Sequence, residues 1–377
     1  MRVNATRREV VKWATLGGLG VAAFGSSMIG LHPLQRAAAA EGIGFGYLPV
    51  NVDLPVFTDA VNPWRNEGLD VRFIRADGGP AILQALATGD VPVGDIGTAP
   101  AIVTATRGFQ FYFLTLMSVA TPERPLDRIM VLKDSPIKKF QDLKGKTLAI
   151  NQFGTMPDAA LGAAARVFGL PRSEINIVPV PYPNMPQVLA EKQVDAIYPF
   201  PPADTVAEVR YGARTIVETT DFIPYLGFTT LAVRRDFAAQ SPQLVKALVK
   251  GAIKTQRWIN DHQGDARNAS NKFLNIPKDI GPKVRLAYFT VDGLTVMANA
   301  WHLYYLLLSG GVIKAVDDPA KMFDEYFIEP TKRFTLPAVE ELGLEPDPVV
   351  SKMLRASYPL LPKPAEEYRA PWDGKFL

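Results

Sequence analysis

Four glycine- or proline-rich turns in the sequence carry residue types that could bind an anion without a formal positive charge. Each turn follows a predicted strand and opens a predicted helix, and they occupy residues 77–80, 97–100, 152–158 and 198–202. Glycine lets the backbone approach a ligand closely, and proline early in a helix leaves neighbouring backbone N–H groups unpaired. Unpaired N–H groups and the helix dipole together form an anion site. The alternative for any one turn is an ordinary capped helix start.

Individual side chains within these turns are the candidates for ligand contacts. Gly79, Thr98 and Thr155 stand at predicted helix starts, where they offer backbone N–H or hydroxyl donors. Phe153 and Phe200 lie within two of the turns and could cover the organic part of a ligand, although most aromatic residues in such sheets belong to the core. This set therefore favours a small organic acid over a bare inorganic anion.

Arg128 and Thr229 lie where the chain is predicted to cross between its two halves. The arginine fork could donate two parallel hydrogen bonds to a planar carboxylate or to a sulfonate. The alternative for Arg128 is a structural ion pair with Glu123 or Asp127. Thr229 is a further candidate ligand contact.

Enzymatic chemistry is poorly supplied by this composition. The chain of 377 residues contains no cysteine and three histidines, which removes disulfides, thiol nucleophiles and cysteine-ligated metals. The G-x-G-x-x-G, P-loop and G-x-S-x-G motifs are missing. We therefore expect a protein that is not an enzyme and has no cofactor and no metal site.

The first 40 residues differ from the rest and predict an export signal. Arg7 and Arg8 precede a mildly apolar, glycine-rich run, and Arg36 and an alanine run ending at Ala40 follow it. These features resemble a twin-arginine signal peptide, with cleavage expected after Ala40. The alternative is a membrane anchor helix, which is disfavoured because glycines and serines interrupt the apolar run.

Removing that segment changes the charge of the protein. The whole chain carries a formal net charge of +3, and its first 40 residues hold five basic residues against one acidic residue. The remainder has a net charge of −1, which gives no support for nucleic acid binding. Since there is no cysteine for lipid attachment, an exported protein working near the cell surface must be retained by an outer membrane. A Gram-negative periplasm is the expected location.

Short β-like runs alternate with helical runs in two successive sets, which is typical of mostly parallel α/β sheets flanked by helices. We expect a two-lobed fold with a helical C-terminal portion. The first lobe is predicted to be discontinuous, with residues 41–130 plus 231–328, and the second lobe to comprise residues 131–230. Residues 329–377 hold eight prolines and are predicted to wrap the surface as extended chain and short helices.

Several short pieces of the sequence occur in a recognisable order. They are residues 67–71, 77–80, 87–94, 97–100, 133–137, 142–146, 193–196 and 310–313. This ordered set resembles the periplasmic substrate-binding proteins of the nitrate, sulfonate and taurine class of ABC importers. The resemblance implies a type II periplasmic binding protein fold that closes over a small ligand. The Tyr-Pro-Phe-Pro-Pro stretch at residues 198–202 departs from the family's aromatic, acidic and proline pattern, so an unusual second-lobe pocket is expected.

The resemblance also implies a function and partners. We expect a solute-binding protein that captures a small organic anion, a sulfonate or carboxylate, between its lobes and delivers it to the membrane permease of an ABC importer. A monomer is expected. The alternative is an extracytoplasmic pyrimidine-precursor binder, or an enzyme or sensor partner, that reuses the same cleft. A related fold makes the thiamine pyrimidine with its own catalytic cysteines, which this chain lacks.

Overall fold

The computed structural model describes residues 42–76, 78–362 and 365–373. The predicted export signal at residues 1–40 lies outside the described residues, and so does Asp77 of the first helix-start turn. Within the described ranges, none of the helices combines the length and the apolar character that a bilayer span requires.

Short strands alternate with helices along the described residues, as the sequence pattern predicts. In chain order the strands are β1 (Ile43–Tyr47), β2 (Val71–Arg75), β3 (Val93–Gly97), β4 (Phe111–Leu116), β5 (Ser118–Ala120), β6 (Arg128–Leu132), β7 (Thr147–Ile150), β8 (Asn176–Pro179), β9 (Ala196–Ile197), β10 (Ala213–Glu218), β11 (Leu226–Gly227), β12 (Thr229–Arg234) and β13 (Tyr288–Phe289).

The helices lie between these strands and make up most of the C-terminal third. The α-helices are α1 (Pro63–Asn66), α2 (Gly79–Thr88), α3 (Thr98–Thr106), α4 (Met156–Phe168), α5 (Met185–Ala190), α6 (Ala203–Tyr211), α7 (Arg235–Gln240), α8 (Pro242–Asp261), α9 (Gln263–Phe273), α10 (Met297–Ser309), α11 (Pro319–Phe323), α12 (Leu336–Glu341) and α13 (Pro348–Ser357). Two π-helical turns, Asp324–Ile328 and Thr331–Thr335, flank residues 329 and 330. The 3-10 turns are Leu54–Phe57, Phe140–Leu143, Arg172–Glu174, Tyr182–Asn184, Thr219–Asp221, Gly281–Lys283, Tyr358–Leu360 and Ala365–Tyr368.

Two five-stranded sheets with the same internal order form the two halves of the fold. The order is β2-β1-β3-β12-β4 in the first sheet and β8-β7-β9-β6-β10 in the second. Three strands of each sheet pair in parallel, and the next strand, β12 or β6, runs antiparallel to its neighbours. Parallel pairing brings the carboxyl ends of three strands to one edge of each sheet, where ligands bind in open α/β folds. The predicted mostly parallel α/β fold is confirmed.

The chain passes between the sheets twice, at positions that differ from the predicted boundaries after residues 130 and 230. Strand β6 begins at Arg128 and pairs wholly within the second sheet, while β12 begins at Thr229 and pairs wholly within the first. A strand cannot be divided between separate sheets without losing ladder hydrogen bonds, so both passages lie earlier in the chain. A small sheet with the order β11-β5-β13 stands beside them.

Helix α2 lies unusually close to the first sheet because glycine occupies the strand beneath it. A Cβ atom on Gly94 of β3 would lie 2.7 Å from Cγ2 of Ile82 in α2. Gly46 of the neighbouring strand β1 faces the same Ile82 methyl group, with a Cβ position 3.1 Å away. The absence of side chains at these two positions lets α2 settle on the sheet, which fixes its first turn near the carboxyl edge.

The long helix α8 packs against the start of the first lobe through Trp64. This ring is buried, and its Nε1 donates a hydrogen bond to the carbonyl oxygen of Leu248 over 3.0 Å. Phe45 and Phe73 of the first sheet contact the ring with centroid separations of 5.9 and 5.7 Å. A side chain on Gly251 would overlap the indole, so glycine at this position allows the helix to approach.

The proline-rich C-terminal segment forms short helices that pack onto the protein through buried polar anchors. Asp347 accepts hydrogen bonds from the Tyr288 hydroxyl at 3.0 Å and from the Val291 N–H at 2.7 Å. Trp372 is buried and donates through Nε1 to the carbonyl oxygen of Thr295 over 3.1 Å. The segment therefore contains short helices, which the sequence predicts together with extended chain, and it is more deeply anchored than a surface wrap.

Candidate functional site

A cavity of about 580 Å³, here called the main cavity, opens between the carboxyl edges of the two sheets. Segments that follow β1, β2, β7, β8 and β9 form its wall, together with the turn after α9. Its wall residues fall within 47–50, 151–152, 181–186, 200–206 and 273–276, with Arg75 and Gly78. Both halves of the fold therefore contribute to one cavity, where an open α/β fold is expected to bind its ligand.

Aromatic rings form two parts of the main cavity wall. On the first-lobe side, Tyr47 and Phe273 meet edge to face with centroids 5.9 Å apart. On the second-lobe side, Tyr182 and Phe200 do the same at 5.1 Å. Phe200, a predicted ligand contact, also meets Phe228 at 4.9 Å, so the structure brings it to the cavity as part of an aromatic cluster.

Arg75 is the one charged side chain on the described part of the main cavity wall. It ends β2 directly beside Tyr47, its register partner in β1. Its side chain is exposed and forms no ion pair with any described residue. Burial raises the pKa of the Tyr47 hydroxyl, and the neighbouring Arg75 charge opposes that rise. Arg75 is not among the contacts predicted from the sequence, although a cation at the end of a strand and just before a helix-start turn is a signal that could have identified it.

Gly79 and Thr98 begin helices α2 and α3 near the cleft, as predicted. Among the described residues, no side chain caps these two helix starts or those of α4 and α6. Thr98 is buried, its N–H donates to the carbonyl oxygen of Phe228 over 2.7 Å, and its hydroxyl has no described partner. Neither Gly79 nor Thr98 lies on the main cavity wall, although Gly78 does.

Gly78 and Gln152 meet where the two sides of the cleft touch. A Cβ atom on Gly78 would lie 2.8 Å from Nε2 of Gln152, which follows β7 in the second sheet. The Oε1 atom of Gln152 is buried and has no hydrogen-bond partner in the described part of the chain. A polar side chain with spare bonding capacity thus lies on the main cavity wall.

Phe153 and Thr155 line a second cavity of about 510 Å³ on the other side of these helix starts. Phe153 is 55% exposed. The Thr155 hydroxyl lies 2.8 Å from Oδ1 of Asn151 and 2.6 Å from the carbonyl oxygen of Gln152, to which it donates. The hydroxyl is therefore used within its own turn. The structure therefore places Phe153 and Thr155 on a different cavity from Phe200.

Arg128 lies in a buried ionic cluster and on neither cavity wall. Its guanidinium group contacts the Asp204 carboxylate at 2.9 Å and the Glu208 carboxylate at 2.7 Å. The structural alternative for this arginine is therefore present, with partners other than the expected Glu123 or Asp127. Both partners lie on helix α6, which is distant from β6 in sequence and adjacent to it only in the folded protein.

The same Asp204 carboxylate binds a second arginine from the other half of the protein. Arg285 lies 2.9 Å from Asp204 and 3.3 Å from Glu218, and it donates to the carbonyl oxygen of Leu126 over 2.7 Å. Arg285 lies three residues before β13 of the small sheet, whereas Asp204 belongs to the second lobe. Two cations from opposite sides of the cleft thus share one buried carboxylate.

Thr229, the last predicted contact, is buried in β12. Its Oγ1 lies 2.6 Å from Oγ of Ser118, the first residue of β5. The hydroxyl thereby links the first sheet to the small sheet. Thr229 is not part of the main cavity wall.

Buried carboxyl groups hold the wall segment at residues 48–54 from beneath. Asp53 accepts a hydrogen bond from the Leu48 N–H at 2.7 Å, and Asp95 accepts one from the Leu54 N–H at 2.9 Å. Burial raises the pKa of both carboxyl groups well above the usual range, and the charge of Asp53 raises that of Asp95 further. These groups position the wall and are not themselves part of it.

Asp127, on the passage between the sheets, should make the stability of the protein depend on pH. Burial is the main cause that raises its pKa to about 6, although its carboxylate accepts a hydrogen bond from the Thr219 hydroxyl. The folded state therefore holds a proton that the unfolded chain has released between about pH 4 and pH 6. The Asp127 contribution to folding falls by about 2–3 kcal/mol as pH rises through this window.

The measurement is thermal or urea unfolding of the wild type and Asp127→Asn between pH 4 and pH 7.5. The Asn variant does not titrate, so its stability relative to the wild type should increase up to about pH 6 and then level off. Burial also raises the pKa of Asp292, to about 7. Because both proteins contain Asp292, its contribution cancels when the unfolding free energy of the wild type is subtracted from that of the variant. A constant difference across the whole range would contradict the prediction.

Metal ligation finds little support in the described residues. No group of three or more histidine, aspartate or glutamate side chains there is arranged to hold a metal ion. His302 in α10 is buried, and burial lowers its pKa to about 4, so it is a neutral packed residue. The polar and aromatic groups on the main cavity wall are rings, amides and one guanidinium group.

Comparison with known sequences identifies a family and a periplasmic relative. The model of a family described as NMT1/THI5 like matches residues 64–266, which is more than half of the 377 residues. The taurine-binding periplasmic protein of Escherichia coli strain K12 is 30% identical over 308 residues. That match covers 76% of this chain and 90% of the relative.

Comparison with solved structures supports the predicted fold. The periplasmic aliphatic sulphonate binding protein from Escherichia coli aligns with a TM-score of 0.61 at 18% identity, over 75% of this chain and 98% of that one. The desulfurization enzyme DSZB aligns with a TM-score of 0.59 at 16% identity, over 80% and 99%. The periplasmic binding protein fold and the resemblance to taurine- and sulfonate-binding proteins are thereby confirmed. The chain belongs to the NMT1/THI5-like family.

Proposed function

We propose that this protein is a periplasmic solute-binding protein that captures a small organic anion, a sulfonate or carboxylate, in the main cavity. The observation that carries the proposal is the composition of the cavity wall. Arg75 is the only charged residue on its described part, and no carboxylate lies there. A guanidinium group suits the planar carboxylate and the sulfonate group because it donates several hydrogen bonds in one direction.

The relatives support the same class of ligand. The sequence relative is named for taurine and the structural neighbour for aliphatic sulfonates, and both ligands carry a sulfonate group. Their periplasmic location supports the same compartment for this chain. The twin-arginine pair Arg7 and Arg8 is the proposed export signal, and the membrane permease of an ABC importer is the proposed partner of a monomeric binding protein.

The two lobes close over the ligand by moving about the two passages between the sheets. The first lobe comprises the first sheet with the C-terminal helices, and the second lobe comprises the second sheet. The dividing segments are residues 121–127 and 219–225, because the predicted boundaries after residues 130 and 230 lie within paired strands. Contacts such as Phe200 with Phe228 join the lobes in the closed arrangement.

Closure makes a prediction for solution scattering. A ligand that contacts both lobes favours the closed population, so the radius of gyration should fall on saturation. Small-angle scattering with and without saturating ligand measures this change. An unchanged radius with a ligand that demonstrably binds would contradict the closure mechanism and leave the binding function intact.

The alternative of an enzyme has one specific observation in its favour. The structural neighbour DSZB is a desulfurization enzyme, so this fold can carry sulfur chemistry. The present chain has no cysteine and therefore no thiol nucleophile. Incubating the purified protein with each binding sulfonate and following the ligand by NMR distinguishes the two functions, since a binding protein returns its ligand unchanged.

A thermal-shift screen tests the proposed function directly. Sulfonates and carboxylates are compared with choline and with neutral amides of similar size. A ligand that binds only the folded state adds about 2.7 kcal/mol of stability at a concentration of one hundred times its Kd. We expect stabilisation by anions alone. Stabilisation by choline or by the neutral amides, with none by the anions, would overturn the proposal.

A further inference from the structure

The main cavity is larger and more apolar than a two-carbon sulfonate requires. Its volume of about 580 Å³ falls in the range of sites for drug-sized ligands, about 300–1,000 Å³. Prolines, aliphatic residues and aromatic rings make up most of its wall. An amino-sulfonate of two carbons would leave much of this apolar surface uncovered.

The aromatic residues are arranged in a way that suits a flat ring. Tyr47 with Phe273 and Tyr182 with Phe200 form two edge-to-face pairs, one from each lobe. Pro181 and other prolines border the second pair and present rigid apolar surfaces. A ring bound between the pairs could contact edges and faces at the 4.5–7 Å separations that aromatic groups prefer.

Polar donors occur beside the first-lobe pair. Arg75 is the register neighbour of Tyr47, and the Tyr47 hydroxyl makes no hydrogen bond with any described residue. The Tyr182 hydroxyl, on the second-lobe side of the wall, is likewise without a described partner. Beside Tyr47 the wall therefore offers one full positive charge and one neutral donor. An anionic group bound here would lie next to the aromatic part of the cavity.

We infer that the main cavity selects an organic anion with an aromatic body, an arylsulfonate or aryl carboxylate. Arg75 binds the anionic group, and the Tyr47–Phe273 and Tyr182–Phe200 pairs enclose the ring. This inference rests on the proposed function and narrows its ligand class. It differs from the ligands for which the relatives are named, taurine and aliphatic sulfonates.

Titration calorimetry with four probes tests this inference. Benzenesulfonate carries both recognised parts, ethanesulfonate and taurine lack the ring, and benzenesulfonamide is a neutral analogue of similar shape. Burial and aromatic contact of the ring should give benzenesulfonate at least about tenfold higher affinity than ethanesulfonate. Loss of the charge should likewise weaken benzenesulfonamide binding at least about tenfold.

Substitutions then separate the two parts of the site. Phe200→Leu should weaken benzenesulfonate binding about tenfold and leave ethanesulfonate binding nearly unchanged. Phe273→Leu, on the other wall and less buried, repeats this test if the first variant does not fold. Arg75→Gln should weaken binding of both sulfonates, and Arg75→Lys should restore part of it. Arg107→Gln is the matched control, because this exposed arginine lines only the second cavity.

The outcomes distinguish the inference from the proposed function. If taurine or ethanesulfonate binds as tightly as benzenesulfonate, the aromatic selection is wrong and the anion-binding function stands. If benzenesulfonamide binds as tightly as benzenesulfonate, or Arg75→Gln binds normally, the role of Arg75 is wrong. If no anion binds at all, the proposed function itself fails.

Discussion

Asp204→Asn should lower the free energy of unfolding by about 3–5 kcal/mol, because it removes the counter-charge shared by the buried Arg128 and the partly buried Arg285 guanidinium groups. The Asp204 side chain is fully buried between Arg128 and Arg285, each 2.9 Å away. Asparagine has nearly the same shape and retains an oxygen to accept the hydrogen bond from the Thr205 N–H. The substitution therefore removes charge with little change in packing, and urea unfolding measures the loss.

Glu208→Gln is the matched control for this prediction. Glu208 pairs with the same Arg128 at 2.7 Å, but its side chain is 52% exposed. Ion pairs with a solvated partner contribute at most about 1 kcal/mol. Similar losses of unfolding free energy for Asp204→Asn and Glu208→Gln would contradict the prediction that the buried carboxylate contributes more to stability than the exposed one.

Trp64→Ala should destabilise the protein by about 3–5 kcal/mol, the usual cost of emptying a large buried aromatic site. The indole is 1% exposed and lies between the first sheet and α8. Its removal also leaves the carbonyl oxygen of Leu248 without the donor Nε1. Gly251 has no side chain that could fill the space. Urea unfolding with a constant m-value would identify the change as a loss of native stability.

Trp258→Ala provides a comparison on the same helix. Trp258 is only partly buried and stacks on His262, with centroids 5.4 Å apart. The loss of stability should be well below that of Trp64→Ala, because water already reaches the ring and less cavity is created. Equal losses would contradict the cavity explanation.

The candidate site was only partly predictable from residue types. Phe200 reaches the main cavity because it lies in a turn at the carboxyl edge of the second sheet, which is a local property of the sequence. Phe153 and Thr155 come from an equivalent turn, yet they line the second cavity. Which side of a helix start faces the main cavity depends on how the two lobes meet, and turn composition contains no information about that contact.

Arg128 and Arg75 show the same limit for charged residues. Arg128 has the fork and the position expected of a ligand contact, but Asp204 and Glu208 on α6 neutralise it. Those partners lie far away in sequence, so their proximity is a consequence of the second sheet's order. Arg75 ends an edge strand and lines the cavity, since no acidic residue in the described part pairs with it.

The alternation of strand and helix patterns determined the class of fold and its two sheets, because each period of hydrophobic residues specifies a local element. The helix-start turns, and the ordered short pieces of sequence in which they occur, indicated the class of function in the same local way. Tertiary structure alone decided where the chain passes between the sheets and how the turns are divided between two cavities. It also decided that Arg75, and not Arg128, lies on the main cavity wall. Each of these depends on contacts between residues distant in sequence, and such contacts form only when the two sheets pack together.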